Sequence, residues 1–282
     1  MKKILFSLLL VSTFFTIENV SAEPAPLLVK WKLRGGDVWT GYLYGREDDW
    51  IILKRPQDEK PVRVGASTIK ELTFKISVDL DNVRKLAEEE RYTDLIALLK
   101  KKLGRLNDFA DLPTNLAPYN RYLMEAYYHV GEYNKTLMIA SRFARKSDDL
   151  ELREKSRVFQ ILSLVSLDKL FRAQALVGEY GWSDFPEDKM PAEKLYILAR
   201  LKELEKKYTE AMLYTAKVIA FHSQEIEWMQ PAELLAAELY VKLKKYDSAE
   251  EVCNEIELLY KNTPEYAKAV KLKFKIKELR GQ

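Results

Sequence analysis

The last two thirds of the chain carry a hydrophobic pattern that repeats with a nearly constant period. A large apolar or aromatic residue recurs every 37 or 38 residues, and a small or short side chain follows three residues after it. The large residues are Tyr133, Leu170, Tyr208 and Tyr246, and the small ones are Thr136, Ala173, Ala211 and Ala249. Each repeat contains two amphipathic helical stretches, and a fixed period of this size predicts a helical solenoid. Because such arrays are usually binding surfaces, the pattern favours a partner-binding protein.

The predicted helical region covers residues 79–282. Several N-cap candidates lie within residues 79–82, and Tyr92 is expected to begin the return helix of an off-period first unit. The extra length of this unit falls in a loop rich in Asn, Asp and Pro, at residues 107–118. The Lys-rich stretch 264–279 also fits an amphipathic strand, but the Pro–Glu pair at its start favours a helix that caps the array. We therefore expect about five helix pairs and a C-terminal capping helix.

Residues 23–78 follow a period-two pattern instead. Apolar and polar residues alternate from Leu27 to Leu33, and a Gly–Gly turn leads into a second run that Gly41 interrupts. A glycine in the middle of a strand predicts a bulge or a sharp bend. Further short apolar runs end at Ile76, with one helical turn before the last of them. About five short strands of this kind predict a small barrel, because closure hides the strand edges.

The two regions resemble two known folds. Residues 27–76, with their Gly-containing turn, bent second strand and terminal Ile-x-x-Leu, resemble the SH3-like and Sm-like small barrels. Such barrels often bind peptides, glycans or RNA, so the resemblance implies a fold and no single activity. The predicted fold class is therefore α+β and multidomain, with an N-terminal small β-barrel (SH3-like) at residues 23–78 followed by an all-α superhelical solenoid.

The helical units resemble tetratricopeptide repeats (TPR). In that family a small residue of the first helix packs near a small residue of the second helix. Two pairs match this pattern, namely Ala199 with Ala211 and Ala237 with Ala249. The departures are Met124, Ile161, Thr136 and Lys202, together with a period longer than the family's usual length of about 34 residues. The resemblance implies a TPR-like array in which the first helix of each pair lines a concave groove.

The groove implied by this resemblance mixes both signs of charge with aromatic side chains. Its residues would be Arg121, Glu125, Tyr128, His129, Lys155, Leu162, Tyr196, Arg200, Glu203, Leu234, Glu238 and Lys242. They do not form the concentrated Lys/Arg clamp that would grip an acidic peptide end. Few interface residues carry most of the binding energy, so most of these are expected to be ordinary solvated positions.

The barrel region is rich in aromatic residues, and Trp31, Trp39 and Trp50 form its candidate recognition site. Aromatic side chains supply rigid contact area at low entropy cost. A barrel of this size also needs large side chains to fill its core, and this structural interpretation is favoured.

The chain begins with a pattern typical of a secretory signal peptide. Two lysines precede an apolar run, and the Val20–Ser21–Ala22 sequence fits a cleavage site. We predict a signal peptide at residues 1–22, cleaved after Ala22; an uncleaved anchor is the alternative. No later stretch is long and apolar enough to span a membrane. The protein is predicted to be exported, in the periplasm or associated with the cell envelope of a bacterium.

Charge and reactive residues narrow the function further. The formal net charge of +3 calls for no nucleic acid partner. Cys253 is the only cysteine and lies in an apolar helical pattern, which favours a buried thiol over a disulfide to another chain. His129 and His222 lie in different units, and no metal-ligand spacing, nucleophile elbow or phosphate loop occurs.

These observations predict a non-enzymatic adaptor or scaffold with no catalytic residue, metal or cofactor. Its predicted partners are proteins or peptides of a cell-envelope assembly. The alternative is binding of peptidoglycan through the aromatic residues of the barrel.

Overall fold

The computed structural model describes residues 25–147, 149–182, 185–186 and 189–281, so the predicted signal peptide lies outside the described residues. A five-stranded antiparallel sheet comes first, and eleven α-helices follow within the described part of the chain. The strands are β1 (Leu27–Leu33), β2 (Val38–Glu47), β3 (Trp50–Lys54), β4 (Val62–Gly65) and β5 (Ile69–Phe74), with a 3₁₀ turn at Ala66–Thr68. The helices are α1 (Leu80–Glu88), α2 (Tyr92–Leu103), α3 (Ala117–His129), α4 (Tyr133–Lys146), α5 (Leu150–Ser166), α6 (Leu170–Glu179), α7 (Ala192–Leu204), α8 (Tyr208–Phe221), α9 (Ile226–Lys242), α10 (Tyr246–Leu259) and α11 (Pro264–Arg280).

The strands lie where the period-two pattern predicts them, but the sheet is open. Its order is β4-β3-β2-β1-β5, so β4 and β5 form the two edges. The closed barrel predicted from the sequence is therefore not formed among the described residues. The reason is that another segment, residues 110–116, already occupies the outer edge of β5. We call this segment the strap.

The strap supplies the hydrogen bonds that a neighbouring strand would otherwise give. The backbone N–H of Leu72 donates to the carbonyl of Pro113 (2.8 Å), and Leu72 forms a parallel bridge with Thr114. The side-chain amide of Asn115 accepts from the N–H of Phe74 and donates to its carbonyl, both at 2.9 Å. The loop that the sequence presents only as extra length thus covers a sheet edge that would be open to other chains.

Gly41 has a different role from the bend predicted for it. It stays in regular register opposite Val29, and the register shift between β2 and β3 lies further along, between Leu43 and Gly45. A Cβ atom placed on Gly41 would lie 2.2 Å from the carbonyl oxygen of Lys54. The glycine therefore permits a close approach of two backbones.

The helices form consecutive pairs that follow the predicted period. The large repeat residues begin every second helix, namely Tyr92, Tyr133, Leu170, Tyr208 and Tyr246. The small residues three positions later are fully buried, and so are the residues twelve positions before them on the preceding helix. These facing pairs are Met124 with Thr136, Ile161 with Ala173, Ala199 with Ala211, and Ala237 with Ala249. The hydroxyl of Thr136 donates to the carbonyl of Met124 at 3.4 Å.

One turn geometry recurs inside all five pairs. The residue two positions before each second helix has a left-handed backbone, with φ from 54° to 80°. The next backbone N–H donates to the carbonyl five residues earlier, at 2.8 to 2.9 Å, which is the Schellman arrangement. The left-handed residues are Glu90, Gly131, Asp168, Lys206 and Lys244. Only one of these five is a glycine, the residue that adopts this conformation at least cost.

Packing is local in the array and continuous with the sheet. Each helix packs mainly on the next helix or on the one after it. The largest hydrophobic core runs from Val29 in β1 to Phe159 in α5, so the sheet and the first helices share it. Within the described residues, each helix is too short or too polar to span a bilayer. Cys253 in α10 is fully buried, as predicted, and burial raises the pKa of its thiol to about 11.

Candidate functional site

The odd-numbered helices from α3 to α11 surround a cavity of about 260 Å³, which we call the inner cavity. Half of the predicted groove residues line it, and they are Tyr128, Leu162, Tyr196, Arg200, Leu234 and Glu238. Glu265 and Lys268 close it from the side of α11. Because the first helix of each pair contacts the first helix of the next pair, residues from separate repeats meet on this inner surface.

Arg200 is the charged residue at the centre of this group. Its Nε atom lies 3.2 Å from Glu203 Oε2, and its Nη1 atom lies 3.8 Å from Glu238 Oε2. Neither contact has hydrogen-bond geometry, and Glu203 Oε2 is buried without a hydrogen-bond partner. Burial lowers the pKa of Arg200, but Tyr196, Glu203 and Glu238 outweigh it and raise the pKa overall, so the side chain remains a cation.

For the carboxyl group of Glu238, burial favours the neutral form. Burial raises the pKa of its carboxyl group, Arg200 lowers it, and the neighbouring Glu203 raises it again. The net shift is upward, which means that the cavity does not fully compensate a negative charge at this position. A cationic group bound beside Glu238 would relieve that cost.

Tyrosine side chains form much of the wall. The ring of Tyr128 packs against Tyr133 and Phe159, with centroids 5.5 and 5.3 Å apart, and the ring of Tyr196 packs against Trp228 at 6.0 Å. Burial raises the pKa values of Tyr128 and Tyr196, so both hydroxyl groups stay protonated. These rings therefore line the cavity and also pack on other aromatic side chains of the helices.

Three further groove residues are engaged with one another beside the cavity. Glu125 Oε1 lies 3.2 Å from Arg121 Nε and 2.9 Å from Lys155 Nζ, and Arg121 Nη1 lies 2.7 Å from Glu151 Oε1. Their charges are already paired between α3 and α5. The structure thus brings these residues together, but it leaves them less capacity for a partner than Arg200 and Glu238 have.

The last predicted groove residues behave differently from one another. The ring of His129 stacks on Tyr92, with centroids 4.3 Å apart and planes 5° apart. Burial lowers the pKa of His129, so its imidazole is neutral at neutral pH, and burial raises the pKa of Tyr92 to about 12. Lys242 is exposed one helical turn beyond Glu238 on α9.

Sequence reasoning missed the contribution of α11 and of the repeat residue Tyr133. The sequence assigns α11 only a capping role, yet its first turns place Glu265 and Lys268 on the inner cavity. The available signal was the i,i+3 spacing of these two charges at the start of the helix. The position of α11 near Tyr133 follows from the accumulated packing of three intervening helix pairs, which no local pattern reveals.

The three tryptophans do not form one recognition surface. Trp31 and Trp39 are cross-strand partners on the core side of the sheet, where Trp31 is buried and Arg55 covers Trp39 at 4.5 Å. Trp50 is 49% exposed, and its neighbour Ile51 is fully buried, so Trp50 faces the opposite side. The predicted Trp31–Trp39–Trp50 site is therefore corrected by strand parity.

The side of the sheet that faces away from the core exposes several apolar and aromatic side chains among charged ones. Its exposed aliphatic and aromatic residues are Leu28, Val38, Tyr42, Tyr44 and Trp50. Leu28 and Tyr42 are direct cross-strand partners. We call this surface the outer sheet face.

The other candidate residues in the described part of the chain make structural contacts. Among the described residues, no group of three or more His, Cys, Asp and Glu side chains could hold a metal ion. His222 is held between Glu225 Oε1 (2.7 Å) and the carbonyl of Met190 (3.1 Å) and does not line the inner cavity. Asp149 caps α5 by accepting from the N–H of Leu152 at 3.0 Å.

Comparison with known proteins gives no further guide to the class of this protein. No model of a known protein family matches the chain, and no curated protein sequence matches it.

Proposed function

We propose that this protein is a non-enzymatic, exported adaptor that binds protein or peptide partners of a bacterial cell-envelope assembly. The observation that carries the proposal is the inner surface of the helix pairs, where aromatic and charged residues of separate repeats surround one cavity. Stacked helical repeats commonly use such a surface for recognition. The N-terminal pattern of a signal peptide supports export.

The finer fold assignment belongs to the same proposal. The recurring Schellman turns and buried facing pairs support a TPR-like superhelix. The strand order and the 3₁₀ turn before β5 support an SH3-like barrel that is left open at β4. In this view the open sheet anchors the first helices, and the array carries the recognition surface.

A photo-crosslinking experiment tests the adaptor function. A photoreactive amino acid replaces Lys242, which is exposed beside the inner surface, or Phe171, which is 85% exposed on α6. Both mature proteins are expressed in the periplasm of a bacterial host and irradiated. We expect defined crosslinked species from position 242 and none from position 171.

A double variant that carries the photoreactive residue at position 242 and Arg200→Gln should give weaker crosslinks than the variant with the probe alone. We choose Arg200→Gln instead of an alanine substitution at Tyr128 or Tyr196, because the two tyrosine rings pack into the cavity wall and their removal would leave voids. Equal crosslinking from both positions, or none from position 242, would contradict the adaptor function.

The second candidate function is peptidoglycan binding, and the outer sheet face favours it. Exposed apolar patches on one face commonly mark interaction sites. The full mature chain should then sediment with purified cell-wall sacculi, and Trp50→Ser should lower the sedimented fraction. Trp39→Phe serves as the control, because Trp39 lies on the core side. A native chain that stays in the supernatant would exclude this alternative. The full chain is needed because the sheet shares its core with the helices.

A further inference from the structure

Two loose ion pairs face the inner cavity. Arg200 Nη1 lies 3.8 Å from Glu238 Oε2 across α7 and α9, and Lys268 Nζ lies 3.6 Å from Glu265 Oε1 on α11. Both distances are longer than a hydrogen bond, and none of the four groups has a hydrogen bond to another described residue. The side chains of Glu265 and Arg200 are only 14% and 29% exposed, and sheltered polar groups normally have such partners, whereas Lys268 is 58% exposed. Their hydrogen-bonding capacity therefore remains available to a guest.

The sign of the charges restricts what this guest can be. A simple anion would be attracted by Arg200 and Lys268 but repelled by Glu238 and Glu265, and a simple cation would meet the reverse arrangement. A guest that carries both charges close together satisfies both sets. The guanidinium of Arg200 offers a planar fork of N–H donors that fits a carboxylate.

The size and walls of the cavity restrict the guest further. A volume of about 260 Å³ holds roughly eight or nine water molecules and lies below the usual range of drug-sized pockets. Leu162, Val165 and Leu234 give the cavity an apolar side next to its charged groups. This combination fits one small molecule with a charged head and an apolar body.

We propose that the inner cavity binds a free, apolar or aromatic α-amino acid. Its carboxylate would bind Arg200, its ammonium group would bind Glu238 or Glu265, and its side chain would pack on Leu162 and Leu234. This proposal shares the inner surface with the adaptor function but does not depend on it. Amino acid binding is measured on the purified protein alone, whereas partner capture is measured by crosslinking.

Thermal unfolding of the mature protein gives the first test. Each common L-amino acid is added at about 10 mM, and glucose and N-acetylglucosamine serve as neutral guests. A ligand that binds only the folded state raises the Tm by about 3 °C when present at ten times its Kd. We expect this shift from at least one apolar or aromatic amino acid and not from the sugars.

Calorimetric titration then tests which groups carry the binding. The decarboxylated and the deaminated analogue of the best amino acid should each bind at least about tenfold more weakly, because each lacks one charged contact. Arg200→Gln and Glu238→Gln should weaken the parent amino acid by a similar factor. Arg172→Gln is the matched control, because Arg172 is exposed on α6 away from the cavity.

Three results would overturn the proposal. The first is that no amino acid raises the Tm, and the second is that only the sugars raise it. The third is that the amino acid binds with unchanged Kd after its carboxylate or ammonium group is removed, or in both the Arg200→Gln and the Glu238→Gln variants. If Arg200→Gln fails to fold, Glu238→Gln and Arg200→Lys give the same test, since Arg200→Lys keeps the charge but loses the planar fork.

Discussion

The sheet and the helix array are held together by contacts of different range along the chain. In the array, each helix packs mainly on the next helix or the one after it. In the sheet, β1 pairs Trp31 with Leu72, and the edge of β5 is held by Asn115, which lies 41 residues after Phe74. The array is therefore stabilised by local contacts that recur, whereas the sheet also depends on pairing between distant segments, as between β1 and β5. A substitution in the array should act locally, and one in the sheet should act on several elements.

The largest effect is expected from filling a small buried site in the array. Ala211→Trp places a large ring between α7 and α8, opposite the fully buried Ala199, and should lower the free energy of unfolding by about 3 kcal/mol or more. Hydrogen exchange should speed up in α7 to α9 and stay unchanged in the sheet. Ala97→Trp, on an exposed face of α2, is the control. Equal melting temperatures for both variants would show that the assigned helix pairing is wrong.

A nearly equal effect is expected at the close backbone approach in the sheet. Gly41→Ala puts a Cβ atom 2.2 Å from the carbonyl oxygen of Lys54 and should lower the free energy of unfolding by about 2–3 kcal/mol. Gly45→Ala on the same strand meets no atom within 4 Å and should be neutral or slightly stabilising. Chemical denaturation of the two variants measures the difference, and similar midpoints would contradict the role given to Gly41.

A substitution in the strap should lower the free energy of unfolding less than a substitution at either of these sites. Its effect should appear in β5, which is distant from the strap in sequence. Asn115→Ala removes both hydrogen bonds to Phe74 and should cost about 2 kcal/mol, because an edge donor and acceptor lose their partner. The amide proton of Phe74 should then exchange faster with solvent. Asn254→Ala, on an exposed part of α10, is the matched control. Unaltered exchange at Phe74 would show that β5 does not need the strap.

The smallest effects are expected at the recurring turns, and they should have opposite signs. Lys206→Gly and Lys244→Gly relieve a left-handed backbone and should each raise the free energy of unfolding by about 1 kcal/mol. Gly131→Ala should lower it by a similar amount, since its φ is 80°. Thermal melts of the three variants suffice. A loss of stability with either glycine substitution would mean that the lysine side chains contribute more than the backbone costs.

Periodic features of this chain could be predicted from its sequence, because they depend on neighbours in sequence. The repeat of Tyr133, Leu170, Tyr208 and Tyr246 located the start of every second helix after the first pair, and the alternation from Leu27 to Leu33 located β1. The superhelical and barrel assignments stay predictions.

Features that depend on distant segments were not predicted correctly. Barrel closure was wrong because the strap, with Asn115, occupies the edge of β5. The three tryptophans do not share one surface, because Trp50 and Trp31 lie on opposite faces of the sheet, and recognition by any of them stays a prediction. At the inner cavity, residues such as Tyr196 and Arg200 were identified, but the arrival of Lys268 from α11 was not. One-dimensional patterns give faces of helices and strands, and they do not say which distant element covers a face.

The single, fully buried thiol of Cys253 can serve as a chemical probe for the opening of the last helix pair. Only the thiolate reacts with alkylating reagents, and a thiol with a pKa of about 11 is nearly all protonated at neutral pH. Modification therefore requires α10 to open towards solvent, and its rate measures the free energy of that opening. In the unaltered protein, the rate of this reaction thus reports on the stability of the last helix pair, α9 and α10. Ligands and partners that stabilise this helix pair can be ranked by how much they slow the alkylation of Cys253.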